Sequence, residues 1–323
     1  MSSIIPHQNH FITLVRSIYG DGFVPLHRPV FEGNEKQYLI GCINSNFVSS
    51  VGKQVSQFEE QISGFTGARY AVATVNGTAA LQIALKISGV RETDEVITQA
   101  LTFVATVNAI SHNGATPVFL DVDLDTMGMS PVALRNFLEK NVEMRGGCAW
   151  NKSTGQRISA CVPMHTFGLP CRIEEISALC NDWNITLVED SAESLGSYVE
   201  GRHVGTIGKL GIISFNGNKV VTTGGGGMIL TDDEKIAEKA RYLITQAKDD
   251  PVRYIHNDVG YNFRLTSIQA ALGVAQLEQL PNFLKRKKDI NQQYIEAVET
   301  IEGLNMAKGP DYANNNHWMN LLQ

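Results

Sequence analysis

A lone lysine, Lys219, closes the stretch Ser214-Phe-Asn-Gly-Asn-Lys219, and four glycines, Gly224 to Gly227, follow it before the apolar run Met228-Ile229-Leu230. Small, polar and glycine residues on both sides suit a lysine held in a pocket. A lysine in a pocket can serve as an amine nucleophile, for example toward an aldehyde. The glycines let the backbone pass close to a bulky ligand with no Cβ in the way. A glycine-rich turn carrying an exposed lysine has the same composition, so the partners of Lys219 must decide between the two.

Candidate partners stand elsewhere in the chain. Asn76-Gly77-Thr78-Ala79-Ala80 interrupts a short strand and leads into a helix former. Such a turn gathers free backbone N–H groups at one point and, with the helix dipole, makes an anion site, although many α/β proteins keep it with nothing bound. Asp190 ends an apolar strand before Ser191 and Ala192. It is either a cap for the next turn or a buried carboxylate for a protonated ring nitrogen. His165, at the end of a central strand, and His27, in a loop, either line the site or are structural. Arg264, two residues after Asn262, either meets a phosphate or carboxylate in a bidentate contact or forms a structural ion pair.

Alternating elements position these residues. Val55, Phe58, Ile62 and Phe65 recur at helical spacing up to Gly67, a C-cap. Residues 69–75 read as a short buried strand and 79–87 as a helix. Strands at 95–98 and 117–120 flank a helix at 103–112, and Ser130-Pro131 opens a helix with Leu134 and Leu138 inward. Residues 146–157 are polar and glycine-containing, a surface loop or insertion. A strand at 158–164, a helix at 173–181 and a strand at 185–188 follow, the last ending in Glu189-Asp190. This alternation implies a mainly parallel sheet covered on both faces. Ligands of such sheets lie at the carboxyl ends of the strands, where Asn76, His165 and Asp190 fall.

After Lys219, residues 234–246 form an amphipathic helix and 256–264 a polar, aromatic loop. Thr266 or Ser267 caps a helix running to about Leu280, and Pro281 is expected to open another, with Ile290, Tyr294, Val298 and Ile301 on one face. The expected organisation is a large domain over residues 1–250, with an N-terminal arm, and connecting helices with the start of a smaller domain over 251–323. Residues 318–323 read as the beginning of a strand, so the smaller domain is expected to be incomplete.

The 323 residues are 43% hydrophobic and 19% charged, an ordinary globular composition. A formal net charge of −6 argues against a broad nucleic-acid surface. Five cysteines (Cys42, Cys148, Cys161, Cys171 and Cys180) without a Cys-x-x-Cys pair indicate neither a disulfide framework nor a metal site, and fit a reducing cytoplasm. Residues 1–20 alternate polar and apolar with no signal-peptide core, and no run reaches membrane-spanning length. No strand leads into Gly-x-Gly-x-x-Gly, which argues against a dinucleotide-binding dehydrogenase.

In combination, Asn76-Gly-Thr-Ala-Ala80, Val188-Glu-Asp-Ser-Ala-Glu193, Ser214-Phe-Asn-Gly-Asn-Lys219 and Gly260-Tyr-Asn-Phe-Arg-Leu265 resemble the motifs of the DegT/DnrJ/EryC1/StrS sugar aminotransferases, from Phe23 onward. The resemblance implies the α/β fold of type I transferases that depend on pyridoxal 5'-phosphate (PLP), as in aspartate aminotransferase. That fold has a large domain with a mostly parallel seven-stranded sheet flanked by helices, and a smaller C-terminal α/β domain. Lys219 would be the Schiff-base lysine and proton shuttle, and Asp190 would keep the ring nitrogen protonated. Gly77, Thr78, Ala79 and Ser214 would hold the phosphate, and Phe103 would stack on the ring. Asn262 would reach the phosphate of the neighbouring subunit, because family sites are shared across a homodimer. His165 and Arg264 are the candidates for the substrate. Glu193 stands where many members have Gln or His. A carboxylate beside the cofactor's phenolic oxygen is repelled unless protonated or turned aside, so Glu193 either marks a branch with its own cofactor contact or faces a helix dipole.

The segments Val24-Pro-Leu-His27, Phe31-Glu-Gly-Asn-Glu35 and Phe47-Val-Ser-Ser-Val-Gly52 resemble the subgroup that makes 4-amino sugars for legionaminic-type nonulosonic acids. That implies L-glutamate as donor and a UDP-linked 4-keto-6-deoxy-N-acetylhexosamine as acceptor. The GDP-perosamine branch shares Asn216-Gly-Asn-Lys219, which keeps GDP-4-keto-6-deoxymannose as the rival acceptor. Related dehydratases carry His in place of the lysine, and a non-catalytic regulator on this fold would have lost the site; this chain keeps Lys219, Asp190 and Ser214.

Overall fold

The structure, a computed structural model, describes residues 8–250 and 252–323, so the first seven residues of the expected arm and Pro251 lie outside it. Helices α1 (Gln8–Tyr19), α2 (Glu35–Ser45) and α3 (Lys53–Thr66) lead into β1 (Tyr70–Thr74) and α4 (Gly77–Ile87). Next come β2 (Glu95–Gln99), α5 (Val104–His112), β3 (Thr116–Leu120) and α6 (Pro131–Asn141). Strands β4 (Val142–Arg145), β5 (Cys148–Asn151) and β6 (Arg157–Val162), helix α7 (Ile173–Asp182) and strand β7 (Thr186–Asp190) follow. The short pair β8 (Tyr198–Val199) and β9 (Arg202–His203) precedes β10 (Leu210–Ser214), β11 (Gly227–Thr231) and α8 (Glu234–Ile244); α9 (Ser267–Val298) and β12 (Ala313–Asn314) come last.

The main row of the sheet is β1-β11-β10-β7-β6-β2-β3, and only β11 opposes its neighbours in it. This is the mostly parallel seven-stranded sheet expected from the sequence. Successive side chains serve opposite faces. Ile212 packs with α4, α5 and α8, beside Leu81, Ile110 and Leu243. Its neighbour Ile213 packs with α3 and α9, beside Phe58, Ile62 and Val274. Helices α6 and α7 cover the other half through Leu134, Leu138, Ile176 and Leu179. Burying the strands on both faces explains why they read as short apolar runs rather than as alternating ones. A smaller C-terminal α/β region combines the end of α9, β12 on β8, and the antiparallel pairing of residues 305–307 with 321–323.

Local signals set most boundaries. Gly67 ends α3 at φ +81 and donates its N–H to the Ser63 carbonyl. Ser130 Oγ accepts the Ala133 N–H with Pro131 in the first turn, and Thr266 forms a capping box with Gln269.

Four expectations are corrected. Residues 146–157 do not form a plain loop: Gly146 (φ +57) and Gly147 (φ +78) make a two-residue turn between β4 and β5, and β5 pairs with β6. Two consecutive positive φ values are what such a hairpin turn needs, and glycine supplies them. Pro281 does not open a new helix, because α9 runs through it for 32 residues. The proline is on the solvent side, where a carbonyl that lost its partner meets water. The halves flanking it are anchored separately, by Val274 and Leu280 to the α3 side and by Tyr294 and Val298 to α1. Within residues 8–19 the alternation gives way to a helix whose Phe11, Leu14, Val15 and Ile18 pack together with Tyr294 and Met306. Trp318 does not begin a strand; it turns inward and is 6% exposed.

Candidate active site

The carboxyl ends of β1, β6, β7 and β10 share one edge of the sheet. At β1, Asn76 Oδ1 accepts the Ala79 N–H at 2.8 Å, and the Asn76 carbonyl accepts the Ala80 N–H. The cap therefore uses the Ala79 N–H, which corrects the expectation that Ala79 offers it to a phosphate. The N–H groups of Gly77 and Thr78 keep no acceptor among the described residues, and they lie at the positive end of the α4 dipole. Gly77 sits against β10: a Cβ there would come 3.0 Å from Ser214 Cβ. Ser214 Oγ takes only a long contact, 3.4 Å, from the Asn216 N–H, so its hydrogen stays available for an anion.

Asp190, 4% exposed, ends β7. Its Oδ2 accepts from Thr106 Oγ1 at 2.7 Å and its Oδ1 from the Ala192 N–H at 3.1 Å. Burial pushes its pKa up, while the Thr106 hydroxyl, the Ala192 N–H and the charge of Lys219 hold it down. A carboxylate in that position gains from one more positive hydrogen-bond donor, such as a protonated ring nitrogen. The preceding residue, Glu189, faces the other way. It accepts from His165 Nε2 at 3.0 Å and from the N–H groups of Gly205, Ile207 and Gly208. Burial alone would raise its pKa, but His165 and these N–H groups bring it below the usual value.

His165 is the clearest departure from expectation. It is fully buried, and the Cys171 N–H points at its Nδ1 while Nε2 faces Glu189. A ring with both nitrogens engaged inside the protein does not line a substrate pocket. It ties the β6 end to β7, an effect reinforced by its backbone N–H on the Asp190 carbonyl.

Lys219 Nζ lies 3.4 Å from Glu193 Oε1 and 4.3 Å from the centroid of the Trp318 ring. Its side chain is 12% exposed, so the lysine is pocketed rather than free in water. Glu193 is more deeply buried; its Oε2 accepts the Phe167 N–H at 2.8 Å. Burial pushes the Glu193 pKa up, Lys219 and Phe167 hold it down, and Asp190 adds to the upward push. Trp318 is pinned from both sides. Its indole N–H donates to the Asn218 carbonyl at 2.7 Å, and its backbone N–H donates to Asn316 Oδ1. The Asn316 amide in turn donates to the carbonyls of Glu193 and Leu195.

The other expected residues are peripheral. Phe103 precedes the first turn of α5 and is 62% exposed, leaving a ring face open. Asn262 is exposed and pairs through its backbone with Thr245. Arg264 bridges to Thr74 through the backbone, and its buried Nε has no partner among the described residues. Thr106, Trp318 and Asn316 were not singled out from the sequence. Thr106 had a signal, since it falls three residues after Phe103, in the first turn of the helix that Phe103 precedes. The other two had none.

The donor set fits PLP: two open helix N–H groups and a hydroxyl for a phosphate, a glycine cradle that a Cβ would crowd, a carboxylate for a ring nitrogen, and one buried amine. Comparisons with known proteins agree. The profile of the DegT/DnrJ/EryC1/StrS aminotransferase family matches residues 29–322. EpsN of Bacillus subtilis strain 168, whose name describes a pyridoxal phosphate-dependent aminotransferase, is 38% identical over 92% of this chain and 74% of its own length. The GDP-perosamine synthase of Escherichia coli O157:H7 is 37% identical over 86% of this chain and 72% of its own. The crystal structure of the aminotransferase TlmJ from Streptoalloteichus hindustanus superposes with a TM-score of 0.84 at 27% identity, over 93% of this chain and 78% of that one.

Proposed function

The chain belongs to the DegT/DnrJ/EryC1/StrS aminotransferase family, and from that membership we propose that it moves the amino group of L-glutamate to C4 of a nucleotide-linked 4-keto-6-deoxy sugar. It is a PLP-dependent aminotransferase of fold type I. The acceptor we propose is UDP-4-keto-6-deoxy-N-acetylglucosamine, on a route to a nonulosonic acid or surface polysaccharide. The support for it is the resemblance of residues 24–27, 31–35 and 47–52 to that branch. The identity to GDP-perosamine synthase favours GDP-4-keto-6-deoxymannose as the second choice.

One observation carries the proposal: a buried amine, Lys219 Nζ, stands between Glu193 and Trp318 beside the strand edge that also holds Asp190 and the open N–H groups of α4. When bound, PLP supplies an aldehyde that condenses with amines and a ring that draws charge from the substrate carbon. The Gly77 and Thr78 N–H groups and Ser214 Oγ would hold its phosphate. Asp190 would keep the proton on the ring nitrogen. Lys219 Nζ would be the group that takes and returns the proton at Cα of the amino donor. Glu193, whose protonation is eased by burial and opposed by Lys219 and the Phe167 N–H, would be the acidic side chain next to Lys219 on the side of the phenolic oxygen. Trp318 keeps water from Nζ.

We assign the site to a homodimer. Helix α2 and the loop after it expose Ile40, Ile43, Phe47, Val48 and Val51, an apolar strip of the kind that partners cover. Asn262, exposed and with its side chain unpartnered among the described residues, is the residue we propose for the other subunit's phosphate. Analytical ultracentrifugation should give twice the 35.4 kDa chain mass; a monomer at micromolar concentration would overturn this assignment. We place the enzyme in the cytoplasm, where its free cysteines fit a reducing compartment. Among the described residues no helix is long and apolar enough to cross a membrane.

The test of the activity is an absorbance spectrum of the PLP-loaded protein before and after L-glutamate. A visible-edge band that moves to shorter wavelength, and returns on adding the UDP-linked keto sugar, is the expected result. A protein that takes up no PLP, or whose band ignores glutamate, would remove the proposal.

A further inference from the structure

Glu189 and His165 form a buried couple that the chemistry assigned to the site does not use. Both side chains are 0% exposed, with His165 Nε2 3.0 Å from Glu189 Oε2. Backbone groups fill the rest of the carboxylate: the Gly205 N–H donates to Oε2 at 2.8 Å, and the Ile207 and Gly208 N–H groups donate to Oε1 at 2.7 and 2.6 Å. Four donors saturate a carboxylate. On the other side of the ring, the Cys171 N–H meets Nδ1 at 3.3 Å. One carboxylate and one ring therefore join four segments: the end of β6, the turn before α7, the end of β7 and the turn before β10. Burying a charge is costly, and an apolar pair of similar volume often holds elements together as well. What the charged couple adds is direction, because each donor tolerates only a narrow approach.

That direction reaches the next residue. Glu189 and Asp190 are consecutive on β7, so fixing one side chain on its face of the sheet sets the other on the opposite face. Residues following β6 hold the Asp190 backbone as well: its carbonyl accepts the His165 N–H at 3.1 Å, and its N–H donates to the Pro163 carbonyl at 2.9 Å. The turn at 205–208 fixes β10 in the same way. The Gly205 backbone lies against Gly211 and leaves no room there for a Cβ, and Ile212 pairs with Asp190. Strand β10 then ends in Ser214.

Resting on the role proposed above for Asp190, we propose that His165 and Glu189 are positioning residues of the aminotransferase site. Through the backbone of residue 190 they aim the Asp190 carboxylate at the ring nitrogen of PLP, and through the 205–208 turn they keep it in register with Ser214. Both act from inside the protein, so their contribution lies in the rate of the reaction and not in the binding of the amino donor.

Two substitutions split the couple. His165→Gln places an amide N–H where Nε2 was and keeps the bond to Glu189, whereas His165→Asn places an amide oxygen where Nδ1 was and keeps only the Cys171 contact. In the cofactor-free full chain, hydrogen exchange of the Gly205, Ile207 and Gly208 amides should be at least about tenfold faster in His165→Asn than in the wild type, and within about twofold of it in His165→Gln. In the PLP-loaded chain, His165→Asn should slow the glutamate half-reaction about tenfold with glutamate affinity unchanged, and His165→Gln should restore the rate. Adding His165→Asn to Asp190→Asn should bring no further loss, since a residue that acts through Asp190 then has nothing left to position. Glu189→Gln, which turns an amide N–H toward N–H donors, gives the same comparison if His165→Asn does not fold. Losses that multiply in the double variant, or equal losses in both His165 variants that track a lowered thermal midpoint, would reduce the couple to a structural tie and overturn the proposal. A defective Asp190→Asn beside a wild-type rate in His165→Asn would remove the positioning role alone. A wild-type rate in Asp190→Asn would remove the role of Asp190 itself, and the positioning role with it.

Discussion

Lys219→Ala should lower turnover by at least about 10⁴-fold, because both the nucleophilic amine and the proton carrier disappear with one side chain. The loss should not be one of folding. Among the described residues the Lys219 amine pairs with Glu193 and lies over the Trp318 ring, and its backbone N–H stays on the Asn216 carbonyl. Glu193 loses its cation but keeps the Phe167 N–H, and burial already eases its protonation. The far-UV circular dichroism spectrum and thermal midpoint should therefore stay close to those of the wild type. Lys219→Arg is the informative companion, since it keeps a positive charge but has no neutral form near pH 7 to take a proton. It should be as inactive as the alanine variant. Wild-type turnover by either variant, followed as 2-oxoglutarate release, would refute the role of Lys219.

Asp190→Asn should slow the glutamate half-reaction by about 10³-fold, within the range spanned by a positioned acid or base. The substitution preserves volume, and the surroundings accommodate it. The amide oxygen can keep the Ala192 N–H, and the amide nitrogen can donate to Thr106 Oγ1, whose hydrogen then turns to Thr102 Oγ1 at 2.9 Å. What the amide cannot do is balance a positive ring nitrogen in a buried position. The defect should therefore appear in the rate of proton removal from Cα, seen as a larger deuterium isotope effect with labelled glutamate, with little change in glutamate affinity. An unaltered rate would mean that another group faces the nitrogen. Thr106→Val should give a smaller defect of the same kind, since Asp190 would then lose one of the donors that hold it ionised.

Both effects depend on contacts that differ in how far they were visible in the residue order. The lysine loop, the Asn76 turn and the Asp190 strand end each carry their chemistry within a few residues. The same holds for the elements: Asn76, Ser130 and Thr266 cap within three positions, and Gly67 supplies the one conformation that ends α3. The Gly146-Gly147 hairpin was not legible, because its polar flanks read as a surface loop and hid the short strands beside it. Pro281 misled because a proline's local penalty is real, while packing on both sides of it outweighs that penalty.

By itself, then, the amino-acid sequence determined the βα alternation, the mostly parallel sheet and the strand edge to which Asn76 and Asp190 belong, and it pointed to Lys219 and Asp190 as the groups proposed to react. Caps, turns and periodicity act over one or two turns of chain, so residue order suffices to specify them. Only the tertiary structure decided which groups face one another. Thr106 meets Asp190 across 84 residues, Lys219 meets Glu193 across 26, and Trp318 reaches the Asn218 carbonyl across 100. It also turned His165 inward to Glu189, spent the Ala79 N–H on a cap and left Arg28, Arg286 and Lys287 around one cavity. These pairings follow from how α9 and the C-terminal segment pack on the sheet, a balance of burial over the whole chain that no local pattern of residues encodes.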